Sequence, residues 1–344
     1  MKKIFSIFFI LSLSLRLCAQ KKLTSQDSIK VFYDELFVAL KSEYLLRKSV
    51  DWQVVKTETK QNSAQYTDFE NSLSEIKTLF DKIGATHCGV YYKQNKYAAT
   101  GKKISKDDYS AQWAKKYATK PVFEAKVLNG KIGYILMPRM VFFDISSKNI
   151  HNIAQSLYDQ IAEIKTKNKL EGWIIDLRFN TGGNSWPMLL SLYDFLGDNE
   201  IVGSLNENKK IKSKVTLSKG SYIENNKTVS YINPKGELLD KVKVAVITGV
   251  LTGSSGEVTA IAFKGRPNTT FIGENTLGFT TGNFSWPLPY DVTLALTNSY
   301  YSDRNGNHYE KIIPDVAVSK SDNFDDLLLD KNIQESIKFI TKKG

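Results

Sequence analysis

The sequence has few cysteines and few histidines, and this scarcity limits the chemistry that the chain can support. Its 344 residues include two cysteines, Cys18 and Cys88, and three histidines. Because Cys18 lies in a segment that we expect to be removed, a single cysteine remains. One cysteine excludes an intramolecular disulfide and a cysteine-rich metal site. We therefore expect neither a bound metal ion nor another cofactor.

Long apolar runs are also scarce, and the clearest one has the features of a leader peptide. Two lysines precede the apolar run at residues 4–15, and small residues follow it, which is typical of a secretory signal peptide. The run is too short to span a bilayer, and no later run is long enough for an integral membrane span. The sequence predicts a signal peptide at residues 1–20, cleavage near Ala19 or Gln20, and export to the periplasm or the extracellular space. Lipoprotein anchoring through Cys18 is the alternative, against which the bulky preceding residue argues.

The chain is basic, with a formal net charge of +11 from 47 Lys and Arg against 36 Asp and Glu. Loss of the leader would remove three basic residues and lower the net charge to +8, since 44 would remain against 36. The remaining lysines form no stripe interleaved with aromatic residues, so they indicate a solvated basic surface rather than a nucleic-acid face. We expect no nucleic-acid partner, and the sequence leaves the oligomeric state open.

Apolar periodicity divides the rest of the chain into a helical part and an α/β part. Apolar residues recur at helical spacing over 25–50 and 68–82, and strands alternate with helices from Gly130 onward. This alternation predicts a mixed β-sheet core with helices packed on its faces, while 200–235 and 284–301 have the pattern of antiparallel strands. The predicted organisation is a small helical domain at 22–84, connecting loops and hairpins at 85–129, an α/β core at 130–320 and a C-terminal helix at 321–344.

The segment at 248–262 has the pattern of a turn that presents a nucleophilic side chain. A buried strand at 244–247 leads into a turn of small and hydroxyl residues, and a helix follows. Such a turn exposes the Ser254 hydroxyl, and the Ser255 N–H at the helix N-terminus is available to an oxyanion. The alternative is that these serines only cap the helix, with Glu257 as a charge in its first turn.

Among the histidines, His87 is the candidate base. It lies on a turn between Gly84, which we expect to end a helix, and Gly89. An imidazole on a turn of small residues is accessible and can be aimed at a partner. The alternative is a loop histidine without a function. His151 falls on a predicted surface helix, where we expect it to be solvated.

Three sequence blocks, taken in order, resemble the tail-specific proteases, the C-terminal processing serine peptidases of family S41. The blocks are D-L-R-x-N-x-G-G at 176–183, T-G-S-S-G-E at 252–257 followed by G-E-x-T-x-G at 273–278, and I-P-D-V at 313–316. The likeness runs from about residue 68 to 320. It implies a ClpP/crotonase-like α/β fold and a serine-type peptidase that acts on peptides or unfolded proteins.

One departure from the family pattern changes the expected mechanism. The processing branch has a lysine as general base after its G-E-x-T-x-G block, whereas Phe279 stands at that position here and carries no proton. A Ser/Lys pair of that kind is therefore excluded. The segment between Cys88 and Gly130 is also too short for the PDZ insert of that branch, so we expect no such insert.

The branch without the lysine, which includes tricorn-type proteases, uses a serine and a histidine. The resemblance then implies that Ser254 attacks the carbonyl and that His87 accepts its proton. Thr86 is implied to orient His87. For a base of ordinary pKa, activity would rise with pH through about 6.5.

The resemblance also implies a relay carboxylate and an oxyanion hole. Glu310 is the candidate carboxylate from its position before the last block, and Asp303 is the alternative. The oxyanion hole would combine the Ser255 N–H with an N–H of Gly182 or Gly183, where glycine lets the backbone come close to the reacting oxygen.

Other interpretations of the same residues stay open. Asp176 and Arg178, at the end of a buried strand, more often pair with neighbouring loops than act in catalysis. Phe279 in place of lysine is also compatible with a non-catalytic ligand- or peptide-binding protein on the same fold. An esterase is a third possibility, because Ser/His chemistry also hydrolyses esters.

Overall fold

The computed structural model of the protein describes residues 24–102 and 104–342. The predicted signal peptide, with Cys18, lies outside the described residues. The α-helices are α1 (Ser25–Glu43), α2 (Trp52–Ser63), α3 (Phe69–Ser72), α4 (Glu75–Ile83), α5 (Ala111–Ala118), α6 (Ser147–Lys167), α7 (Ser185–Ser191), α8 (Tyr193–Leu196), α9 (Ser255–Phe263) and α10 (Lys331–Thr341). The β-strands are β1 (Gly89–Tyr92), β2 (Asn95–Tyr97), β3 (Glu124–Leu128), β4 (Ile132–Leu136), β5 (Gly172–Asp176), β6 (Asn199–Leu205), β7 (Ile211–Ser218), β8 (Ser221–Glu224), β9 (Lys227–Tyr231), β10 (Lys243–Thr248), β11 (Thr269–Gly273), β12 (Thr281–Leu288), β13 (Val292–Asp303) and β14 (Val316–Ala317).

The N-terminal helices pack on one another and on one of two β-sheets. Phe32 of α1 and Phe80 of α4 are fully buried, and they share an apolar cluster with Leu294 of β13. Gly84 ends α4 in the left-handed conformation, with φ at 69°, as its place after the apolar stripe predicts. The turn that carries His87 therefore follows directly after α4, and α4 is packed against the sheet that contains β13.

Several predictions for this part of the chain need correction. The predicted helix at 68–82 is divided into α3 and α4. Helix α2 was not predicted, because only three of its residues are buried and they leave no apolar stripe. The segment from β1 to β3 contains helix α5 in addition to the expected hairpins. His151 is half-buried rather than solvated, since its ring stacks on Tyr231 with centroids 4.3 Å apart.

The larger sheet is antiparallel and has the strand order β2-β1-β13-β6-β7-β8-β9, with β12 also paired to β13. Both β1 and β12 lie beside β13, with Gly89 and Ser285 each opposite Ala295. The turn before β1 therefore comes close to the beginning of β12. The Asn283 side-chain amide donates to the His87 carbonyl at 2.8 Å, which ties these two segments together.

The smaller sheet has the order β14-β11-β10-β5-β4-β3 and is parallel except for β3. Helices α6, α7 and α9 cover one face and α10 covers the other, so its strands are apolar on both sides, as expected for a parallel sheet. Strands β5 and β10 are neighbours, with Asp176 opposite Ile247. The loops that follow these two strands consequently begin side by side at one edge of the sheet.

Arg178 ties the end of β5 to the C-terminal segment. It is 2% exposed, and its Nη2 lies 2.6 Å from Asp176 while its Nη1 lies 2.6 Å from Asp322 and 2.8 Å from Asp330. A buried guanidinium is tolerated only when carboxylates surround it in this way. The structural interpretation of Asp176 and Arg178 is thus confirmed.

Candidate active site

The turn between β10 and α9 holds Ser254 in a strained backbone conformation. Ser254 has φ at 52° and ψ at −119°, a region that residues other than glycine rarely occupy. The turn is fixed to the loop after β5, since the Gly253 N–H donates to the Asn180 carbonyl at 3.0 Å and the Thr252 hydroxyl donates to the Leu177 carbonyl at 2.8 Å. A strained strand-to-helix turn is a recurrent way to present a serine hydroxyl above a sheet.

Glu257 links this turn to the loop that follows β11. Its fully buried carboxylate accepts the Ser254 N–H at 3.0 Å, the Gly278 N–H at 2.8 Å and the Phe279 N–H at 2.7 Å. It also accepts the Thr276 hydroxyl. Burial raises the pKa of Glu257, and these hydrogen bonds act in the opposite direction. Beyond a charge at a helix start, Glu257 holds two loops of the site together.

His87 contacts Ser254 although the two residues are far apart in the chain. The distance from His87 Nε2 to Ser254 Oγ is 3.1 Å, and His87 Nδ1 lies 2.7 Å from Thr281 Oγ1. A neutral imidazole that accepts the serine proton at Nε2 carries its own proton at Nδ1. Thr281 then accepts the Nδ1–H hydrogen bond and fixes the tautomer in which Nε2 is basic.

Phe279 forms one wall of the imidazole site. Its ring is stacked on His87, with centroids 5.0 Å apart and 19° between the planes. Removal from water lowers the pKa of His87 to about 4, and the nearby positive charge of Lys96 acts in the same direction. His87 is therefore neutral, and able to accept a proton, at any pH well above 4.

The two glycines of the loop after β5 differ in what their N–H groups do. The Gly182 N–H donates to Asn180 Oδ1 at 3.1 Å, whereas the Gly183 N–H has no partner among residues 24–102 and 104–342. The loop lies against Ser254, because a Cβ added to Gly182 would stand 2.8 Å from Ser254 Cβ. The Ser255 hydroxyl donates to the Gly183 carbonyl at 2.6 Å. Within the described part of the chain, the Ser255 N–H at the first position of α9 has no partner either, as expected for a helix start. The N–H groups of Gly183 and Ser255 are therefore both available to an oxyanion.

The hydrogen bonds of the His87 ring within the described residues go to Ser254 and Thr281, and three other residues predicted for the site are not among these partners. Glu310 is exposed, and the buried Asp303 carboxylate accepts two backbone N–H groups of its own turn at 2.9 Å. Thr86 is exposed to solvent. The predicted carboxylate relay is corrected, because β12 begins beside His87 and brings the Thr281 hydroxyl to Nδ1. No motif in the sequence marked Thr281, and its position two residues after Phe279 was the one available hint.

Within residues 24–102 and 104–342, no group of three or more His, Cys, Asp or Glu is arranged to hold a metal ion. In the same residues, no helix combines the length and the apolar character needed to cross a bilayer.

Comparison with known proteins identifies the family of the chain. A model of peptidase family S41 matches residues 131–318. The nisin-resistance protein of Lactococcus lactis is 28% identical over 279 residues, which are 80% of this chain and 79% of that protein. The carboxy-terminal-processing protease of Bartonella bacilliformis is 26% identical over 196 residues, which are 56% of this chain and 40% of that protein.

Solved structures show the same fold. A lipoprotein from Streptococcus agalactiae superposes with a TM-score of 0.65 and 22% identity, over 98% of this chain and 99% of that one. A peptidase-like protein from Parabacteroides merdae gives a TM-score of 0.58 with 16% identity, over 94% and 98% of the two chains. Since the family model covers more than half of the sequence, the chain belongs to peptidase family S41 and is a serine-type peptidase.

Proposed function

We propose that the protein is an exported peptidase that hydrolyses peptide bonds with Ser254 as nucleophile and His87 as general base. The observation that carries this proposal is the 3.1 Å distance between Ser254 Oγ and His87 Nε2. A nucleophile within hydrogen-bond reach of a base that is itself oriented by a third group is the arrangement that covalent catalysis requires. Thr281 is that third group, in place of a carboxylate.

The residues support a two-step reaction. His87 Nε2 takes the Ser254 proton as Oγ attacks the peptide carbonyl, and the N–H groups of Gly183 and Ser255 stabilise the negative oxygen of the tetrahedral intermediate. The intermediate collapses as His87 returns the proton to the leaving amine, which leaves an acyl-serine. His87 then takes a proton from a water molecule as its oxygen attacks the acyl-serine, and returns that proton to Ser254 Oγ as the C–O bond breaks, which releases the acid and restores the free enzyme.

The substrate and the location follow from the family and the leader. A peptide or an unfolded protein is the substrate class that a family S41 peptidase implies. The predicted signal peptide at 1–20 directs the chain out of the cytoplasm. Mass determination of the mature N-terminus distinguishes cleavage near Ala19 from lipid attachment at Cys18, and an intact leader would contradict export.

Replacement of the nucleophile tests the proposal. Ser254→Ala should lower peptide turnover by about 10⁴-fold or more, and labelling by a fluorophosphonate should be lost. Ser285→Ala, which changes an exposed serine of β12, is the matched control and should keep both activities. Turnover that survives Ser254→Ala would refute the assignment. Ester hydrolysis without peptide cleavage would indicate an esterase instead.

A further inference from the structure

Three apolar side chains extend into solvent on the segment between β4 and α6. Val141 is 55% exposed, Phe143 94% and Ile145 59%. Met140 and Phe142, which alternate with them, pack on the core of the smaller sheet. Side chains therefore alternate between core and solvent over residues 140–143, and beyond a bend at Phe143 both Asp144 and Ile145 are exposed. We call Val141, Phe143 and Ile145 the apolar strip.

The apolar strip begins directly beside the glycine loop of the candidate active site. The Met140 N–H donates to the Gly182 carbonyl at 3.2 Å, and the Asn184 N–H donates to the Met140 carbonyl at 2.7 Å. A Cβ added to Gly183 would stand 3.1 Å from Val141 Cγ2. The first side chain of the strip thus lies next to Gly183, whose N–H has no partner among the described residues and is available to an oxyanion.

Side chains exposed to this degree require an explanation, because soluble proteins rarely leave adjoining apolar residues in water beside a functional site. Neighbouring extended segments lie about 4.8 Å apart, so a peptide that passes over Gly183 brings its next side chains alongside Val141 and Phe143. The continuity between the strip and the glycine loop favours a substrate peptide over a membrane surface or a second copy of the chain.

We propose that the apolar strip is the subsite that binds apolar side chains of the substrate next to the bond to be cleaved. This inference rests on the proposed peptidase function and adds a preference to it. Removal of water from Phe143 and from the substrate side chain provides the attraction. Polar side chains at the same substrate position gain nothing from the strip and are cleaved more slowly.

A peptide library identifies the preference. Wild-type enzyme and the variants Phe143→Ser and Ile145→Ser are incubated with a proteome-derived peptide mixture, and the cleaved bonds are mapped by mass spectrometry. Wild type should enrich Leu, Ile, Val or Phe near the cleaved bond, and each variant should lower the apolar-to-polar ratio of kcat/KM by about tenfold. Ile211→Ser on β7, where the isoleucine is 57% exposed, is the control and should behave as wild type. An apolar preference that is unchanged in both variants would overturn the subsite.

A binding measurement separates the strip from catalysis. Binding of a labelled peptide that contains Leu and Phe is measured by fluorescence polarisation in a Ser254→Ala background. Adding Phe143→Ser should weaken the affinity for this peptide by about tenfold. If Phe143→Ser weakens binding but the wild-type protein does not cleave peptides, the peptidase function is overturned. The apolar strip would then remain a peptide-binding site. If the variants instead lose binding to vesicles of phosphatidylglycerol and phosphatidylcholine, or lose a dimer in light scattering, with peptide binding intact, the subsite is refuted.

Discussion

Phe279 lies nearly flat against His87, with 5.0 Å between ring centroids. The position that would carry a lysine base in the processing branch thus carries an aromatic ring that stacks on the proposed histidine base. The Phe279 backbone N–H donates a hydrogen bond to the Glu257 carboxylate, which also accepts the Ser254 N–H. One buried carboxylate therefore sets the position of Ser254 relative to the ring that stacks on His87.

The pH dependence of activity should reflect this wall. Because burial lowers the pKa of His87 to about 4, kcat/KM should rise with pH through about 4 and stay level from pH 5 to 8. This corrects the rise through about 6.5 expected from the sequence. Phe279→Ser opens the imidazole to water and should move the midpoint upward toward 6.5. A pH–rate series on wild type and variant measures both, and a midpoint that Phe279→Ser leaves in place would contradict this account.

Stability should depend on the same imidazole. The pKa of His87 is lowered from 6.5 to about 4 on folding, so the unfolded chain binds the proton more readily. The stability contribution of neutral His87 is complete above pH 6.5 and is lost as the pH falls from 6.5 to 4. Urea unfolding at several pH values should show this loss in wild type and a smaller slope in His87→Gln. Equal slopes for the two proteins would exclude a neutral buried imidazole.

Thr281 should affect the rate more than substrate binding. Thr281→Val keeps the shape and removes the acceptor for the His87 Nδ1–H, which lies 2.7 Å from Oγ1. A neutral hydrogen bond contributes about 1 kcal/mol, so kcat should fall about fivefold with KM nearly unchanged. Thr281→Ser retains the hydroxyl and should keep most of the activity. Steady-state kinetics that show a change in KM alone would argue against an orienting role.

Gly183 should tolerate no side chain. It has φ at 118°, and a Cβ would stand 1.8 Å from the Met140 carbonyl oxygen, so Gly183→Ala must displace the loop that carries the free N–H. We expect at least a hundredfold loss of kcat, about the effect of losing one oxyanion donor, together with a lower melting temperature. Gly130→Ala is the control, because Gly130 also has positive φ, at 67°, but no atom within 4 Å of the added Cβ. That variant should lose about 1 kcal/mol of stability and keep its activity.

Arg178 should be essential for stability. Arg178→Met leaves the buried Asp176 and Asp330 without their cation, and breaking a buried ion pair costs about 3–5 kcal/mol. Lys214→Met removes a surface pair with Glu200, both about half exposed, and should cost less than about 1 kcal/mol. Denaturant unfolding compares the two variants. Similar losses for both would mean that the buried cluster is not a special source of stability.

The sequence was sufficient to predict elements whose burial pattern is regular. Strands β4, β5 and β10 are apolar on both faces, so continuous apolar runs marked them, and Ser254 followed from the turn after β10. The contact between His87 and Ser254 could be predicted only because the family resemblance implied that the two residues are paired. Periodicity alone contains no information on which distant turns meet.

The residue that contacts His87 Nδ1 could not be predicted from the sequence. Glu310 was selected by its distance in the chain from the last motif, whereas the partner of His87 is decided by where β12 starts in space. A single threonine at a strand end has no distinguishing pattern in the sequence. Helix α2 was missed for a related reason, since two of its three buried residues are Thr59 and Ser63 and no apolar stripe results.

The ion pairs of Arg178 also determine which truncated fragments of the chain can be expected to fold. The segment that matches the family model ends at residue 318, yet Asp322 and Asp330 lie beyond it and His87 lies before it. A fragment trimmed to 131–318 would retain the serine while losing its base and two of the three anions around a buried guanidinium. Inactivity or insolubility of such a fragment would therefore be no measure of the full-length enzyme.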